Sequence, residues 1–163
     1  MGQQHKCRAL LDSASQTNFI TESLVQRLRL NKVHNQLPIQ GISKVTAETS
    51  HSASLRLQST ISAFTAHINC AVLPCITSEM PSMHLHHDNW NLPVDVQLAD
   101  PYFYRPGKVD LLLGAELFFD LLLPEKRTRA GDYPTLQNTE LGWILSGRFQ
   151  TPRMAHRYRL QPL

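Results

Sequence analysis

The chain has 163 residues, a length that fits one domain at a prior of roughly 150 residues each. Hydrophobic residues make up 42% and charged residues 18%, a globular balance that excludes disorder over the whole length. The net charge is only +3 and the basic residues are dispersed, so no Lys/Arg block marks a nucleic-acid footprint. The nearest grouping, Arg148, Arg153, Arg157 and Arg159, reads as a solvated tail. The most apolar stretch, residues 109–123, is cut by Asp110, Glu116 and Asp120 and falls short of the ~20 residues a membrane span needs. The N-terminal residues lack the apolar core of a secretory signal. Cys7, Cys70 and Cys75 are an odd number, which reads as free thiols in a reducing, intracellular and cytoplasmic setting.

Residues 6–11 (KCRALL) read as a strand that stops at Asp12-Ser13. Residues 12–18 (DSASQTN) are small and polar, the composition of a loop. Thr21 is a predicted N-cap, with Glu22 in the first turn and Leu24, Val25 and Leu28 at helical spacing up to residues 28–30. The period then changes to two. Residues 37–39 lead to a turn at Gly41, and 52–58 and 63–73 alternate as two antiparallel strands. Residues 74–108 carry Pro74, Pro81, Pro93, Pro101 and Pro106 with little periodicity. A connection of that length is functional or family-specific. Residues 109–113 form a buried strand by composition. Residues 115–123 form a helix stopped by Pro124, and 125–138 a polar loop. A last strand surrounds Trp143–Leu145. The expected division is a mainly β domain over residues 1–150 and a tail over 151–163.

Two short signals carry chemistry. In Leu10-Leu11-Asp12-Ser13-Ala14-Ser15, apolar residues bring a carboxylate to the end of a buried strand, and small residues follow at once. Ser13 can bond nearby backbone, and the small neighbours allow close approach of another chain segment. In Asp110-Leu111-Leu112-Leu113-Gly114-Ala115, an apolar run meets a glycine and then a helix. Either motif alone reads as ordinary turn or packing chemistry. Their pairing, about a hundred residues apart, repeats one strand–turn–helix plan.

That pairing resembles the retropepsin-like aspartic proteases, and more closely the peptidase domain of BEL/Pao retrotransposon polyproteins. The resemblance rests on residues 7–30, 97–123 and 136–147. It includes the Pro-rich insertion and the Trp143 strand, which short retroviral proteases lack. It implies a mainly β, retropepsin-like half-barrel with two short helices, acting as a homodimer on a polypeptide. Asp12 matches the catalytic aspartate. Ser13, Ala14 and Ser15 form the active-site loop, with Ser13 at the residue that braces the two subunits' loops. Gly41, Ile42, Ser43 and Lys44 begin the flap, which continues through Ala47. Leu112, Leu113 and Gly114 match the hydrophobic-hydrophobic-Gly element beneath the loop. No metal and no cofactor are implied, nor a nucleic-acid or membrane partner. Two departures stand out. Ala14 replaces the family's glycine, so its Cβ could crowd the partner's loop or be accommodated at negative φ. Only eleven residues precede Asp12, so a strand that usually comes before the catalytic one is expected to be missing. These departures define a second reading, a catalytically silent relic used for dimerisation or peptide binding.

Rival chemistries are weaker. His84, His86, His87 and Asp88 (HLHHD) contain metal-ligand types, yet Cys70 and Cys75 lack zinc-ligand spacing. The run reads as a polar loop. G-x-S-x-G and G-x-x-x-x-G-K-[ST] are absent. Trp90, Tyr102, Phe103 and Tyr104 read as residues that pin the insertion to the core.

Overall fold

A computed structural model of the chain describes residues 4–40, 46–129 and 133–147. Its elements run β1 (Ala9–Leu11), β2 (Asn18–Thr21), α1 (Glu22–Leu28), β3 (Lys32–Gln40), β4 (Thr46–Gln58), β5 (Thr65–Leu73), β6 (Leu111–Leu113), α2 (Ala115–Leu121), β7 (Leu122–Arg127), β8 (Thr135–Thr139) and β9 (Ile144–Ser146). The fold is mainly β with two short helices, in agreement with the retropepsin-like class that the sequence implies. Six strands form one sheet in the order β1-β6-β2-β5-β4-β3, and three form a second in the order β7-β8-β9.

The middle of the larger sheet explains the apolar run at 111–113. β6 lies between β1 and β2, parallel to the first and antiparallel to the second. Leu111 and Leu113 point into the main core with Ile20, Leu24, Val25 and Leu121. Leu112 points to the opposite face, against Phe19 and Ala71. A strand covered on both faces reads as a continuous apolar run rather than an alternating one. Burying each such leucine is worth roughly 1.5–3 kcal/mol.

Thr21 ends β2 and caps α1, its Oγ1 accepting from the Leu24 amide at 3.3 Å. The same hydroxyl donates to Asp110 Oδ1 at 3.2 Å, and Asp110 pairs with Arg27 at 2.8 Å. The helix is therefore tied at both ends to the residue that precedes β6. Arg29, at φ 53°, closes it.

Three expectations change. The loop at 12–18 ends one residue early, because Asn18 opens β2; its four residues are all buried and show no alternation to read. The second helix stops at Leu121 rather than 123, and Pro124 lies inside β7. β7 is an edge strand, where a missing N–H costs little. The polar segment 125–138 is not all loop: it holds the end of β7 and most of β8. Glu125, Lys126 and Arg127 are exposed there, and charged residues blunt a sheet edge.

The 74–108 insertion is irregular apart from a 3-10 turn at Asp88–Trp90. Arg8 fastens it to the sheet. Its guanidinium donates to the carbonyls of Met80, Tyr102 and Arg105 at 2.7, 3.0 and 3.1 Å and pairs with Asp100 at 2.7 Å. Within the insertion, His87 stacks on Tyr104 at 4.1 Å and Trp90 on Phe103 at 5.7 Å. The aromatic residues thus pack on each other and on the histidines. Further on, Trp143 and residues 97–99 exchange backbone bonds of 2.9 and 3.0 Å, which joins the insertion to the smaller sheet.

All three cysteines are free. Cys70 is buried, and burial, with Glu116 and Cys7 adding to it, pushes its thiol up to about 12. Cys75 is exposed. A thiol reagent at neutral pH should therefore label Cys75 at once and Cys70 only on unfolding, as mapped by peptide mass spectrometry. Rapid labelling of Cys70 in the folded protein would contradict this packing.

Candidate active site

β1 delivers Asp12 to the end of the sheet, and the following turn is held by the chain's own backbone. The Asp12 amide donates to the Leu113 carbonyl at 3.0 Å, extending the β1–β6 ladder by one bond. The Ala14 amide donates to Asp12 Oδ1 at 2.9 Å, and the Ser15 amide to the Asp12 carbonyl at 3.3 Å. The Ser15 hydroxyl donates to the Thr17 carbonyl at 2.7 Å. This is the Asx-turn chemistry of a short Asp-Ser segment. Among the described residues, the Asp12 carboxylate has no other hydrogen bond and no ion pair. It is half-buried, with Ser13 and Ala14 exposed beside it.

The turn rests on the start of α2. The Ala115 amide donates to the Ser15 carbonyl at 2.7 Å. A Cβ at Gly114 would lie 2.6 Å from the Ser15 oxygen and 2.9 Å from the Thr17 oxygen. Both are backbone atoms, so the glycine is required by close approach rather than by an unusual φ, which is −83°. The structure thus brings Asp12, Ser15, Leu113 and Gly114 into one unit. Leu10 lies beside Leu112 in the register. It falls two residues before Asp12 and so on the same strand face. Leu10, Leu73 and Ile76 pack around Phe19, Ala71 and Leu112 on that face.

Ala14 stands at an ordinary backbone angle. Among the described residues only Arg29 and Asn91 carry a side chain at positive φ, 53° and 44°. The alanine is therefore accommodated within its own chain. The expected flap residues Gly41, Ile42, Ser43 and Lys44 lie outside the described residues. The hairpin that leads to them is described: β3 and β4 pair from Lys32↔Ala53 to Gln40↔Thr46, with a register shift between His34 and Leu37. Ala47 is within β4, opposite Ile39. Among the described residues, no three His, Cys, Asp or Glu side chains are grouped to hold a metal ion. His84 sits edge-on to Tyr104 at 5.3 Å.

Two residues that the motifs do not single out prove central. Arg8 is the insertion's anchor. Asn18, 1% exposed, accepts from the Gly114 amide through Oδ1 at 2.8 Å. The signal for Asn18 is a polar residue opening a fully covered strand, ahead of Phe19 and Ile20, visible only once the strand is known.

The family model described as "Putative peptidase (DUF1758)" matches residues 2–157, and the chain belongs to that family. No curated protein and no solved structure matches the chain. No helix among the described residues is long and apolar enough to cross a membrane.

Replacing Gly114 by alanine should lower stability by about 1–3 kcal/mol, the usual cost of forcing a methyl group into a packed site. Thermal unfolding measures this directly, and an unchanged midpoint would show that the turn does not rest on α2 as described.

Proposed function

We propose that this chain is an aspartic endopeptidase domain of a BEL/Pao-type retrotransposon polyprotein, active as a homodimer that contributes one Asp12 from each copy. The observation that carries the reading is the rigid seat of Asp12: its amide on Leu113, its carboxylate on Ala14, and its turn on Gly114. Membership of a peptidase family supports the reaction class.

At the two-fold axis of such a dimer, the two carboxylates share one proton, because like charges a few ångströms apart do not both ionise (aspartic proteases are the standard case). The ionised carboxylate takes a proton from a water, whose oxygen attacks the scissile carbonyl carbon. The protonated partner gives its proton to the carbonyl oxygen as the tetrahedral intermediate forms. Proton transfer to the amide nitrogen then breaks the C–N bond and releases an acid and an amine. The shared proton belongs to the pair rather than to either aspartate alone. In such a dimer, Ser13 and Ala14, exposed beside Asp12, meet the partner's loop. Residues 41–47 close over an extended peptide that adds as a strand. Leu10 and Leu112 give the cleft an apolar wall. The substrate is the polyprotein, in an intracellular and cytoplasmic setting, and no cofactor takes part.

Asp12→Asn should abolish hydrolysis of a denatured protein substrate between pH 4 and 6 while leaving the unfolding midpoint unchanged. Retained cleavage in that variant sinks the mechanism. Peptide binding without cleavage by the unaltered chain would favour the silent, peptide-binding module instead. Ala14→Gly tests crowding at the dimer: higher activity indicates that the methyl group is in the way. The same change should cost about 0.4–1 kcal/mol of stability through the freer unfolded chain.

A further inference from the structure

We propose that Asn18 is a positioning residue for Asp12, acting through Gly114 and dependent on Glu116; the inference rests on the aspartic-peptidase reading for its catalytic consequence but not for its structural one. Asn18 uses both ends of its amide. Oδ1 accepts from the Gly114 amide at 2.8 Å, while Nδ2 donates to Glu116 Oε2 at 3.2 Å and to the Asn69 carbonyl at 3.4 Å. One buried side chain thus links the turn after β6, the first turn of α2, and β5.

The consequence for Asp12 follows from connectivity. Gly114 follows Leu113, whose carbonyl receives the Asp12 amide, and precedes Ala115, whose amide holds Ser15. The Gly114 amide lies between those two bonds. In a helix N-terminus the first amides have no intrahelical partner. At this one a side chain from β2 supplies the acceptor, and no capping side chain of α2 itself does so. Losing that acceptor leaves a buried N–H unpaired next to both bonds that seat the catalytic turn.

The orientation of the Asn18 amide is set by charge. A carboxylate only accepts and a backbone amide only donates, so Glu116 takes Nδ2 as its neighbour and Gly114 takes Oδ1. The titratable groups facing this site are Glu116 from α2 and the buried Cys70 of β5, the register partner of Asn18. Asn18→Asp keeps the acceptor for Gly114 but sets a second carboxylate against Glu116. Two carboxylates at that distance share a proton below their coupled titration and repel above it. The variant should therefore behave like the unaltered protein in acid and fail at neutral pH. Burial of the new carboxylate gives the same direction by desolvation alone, so the Glu116→Gln background separates the two causes.

The experiment is amide hydrogen exchange, corrected for intrinsic rates, at Asp12, Ser15 and Ala115 between pH 4 and 7.5. Asn18→Ala should exchange about ten- to a hundredfold faster at all three amides, the effect of leaving one buried donor unpaired. Asn18→Asp should exchange faster at pH 7.5 and return to the unaltered rate at pH 4. Asn18→Asp combined with Glu116→Gln should exchange more slowly at pH 7.5 than Asn18→Asp alone, because the glutamine amide donates where Glu116 accepted and only the bond to the Asn69 carbonyl stays lost. If Asn18→Asp does not fold at neutral pH, the pH 4 measurement and the double variant still decide. Unchanged exchange in Asn18→Ala, or no recovery in the double variant, overturns the proposal. These readouts need no cleavage, so they stand apart from the peptidase reading. Where cleavage is measurable, kcat should fall with the same pH dependence while KM holds.

Discussion

The whole site depends on one close approach: the backbone of the Asp12 turn lies directly on the backbone at Gly114. A Cβ at Gly114 would come within 2.6 Å of the Ser15 oxygen. Because nothing is there, the Ala115 amide reaches Ser15 and the Asp12 amide reaches Leu113. Backbone-to-backbone seating of this kind leaves a carboxylate few conformations, which is what acid–base catalysis asks of it. The sheet order serves the same end. β6 runs between β1 and β2, so the chain segments before and after the Asp12 turn both flank the strand that leads into Gly114.

Charge pairing around this unit leaves Asp12 distinct. Asp100 is engaged by Arg8, and Asp110 by Arg27 and Thr21. These pairs do structural work: one fastens the insertion, the other ties α1 to β6. Asp12 has only a backbone amide on its carboxylate among the described residues. A half-buried carboxylate without a cation suits a dyad better than an ion pair would, since a nearby cation would hold it ionised and prevent proton sharing.

Much of this was legible in the residues, for identifiable reasons. The Asp12 and Gly114 motifs are local, and each combines an apolar run with small residues, so both are visible in a single line of sequence. The Thr21 cap and the β4–β5 alternation follow from side-chain period and capping chemistry. Asn18 was not legible, because its meaning lies in a bond to a residue 96 positions away. Arg8 was not, because its partners lie in the insertion at 80, 100, 102 and 105. β7 and β8 escaped notice since Pro124 and a charged run read as breakers, while an edge strand tolerates both. The Cβ of Ala14 needed φ, which sequence does not supply.

The claim that one aspartate comes from each of two copies is tested most directly by mixing. Unaltered protein and Asp12→Asn protein are unfolded together in equal amounts, refolded at fixed total concentration, and assayed for cleavage. If each site needs both aspartates, random pairing leaves about one quarter of the activity of the same total of unaltered protein. Retention of about one half, the value for sites that act independently, would contradict the shared dyad.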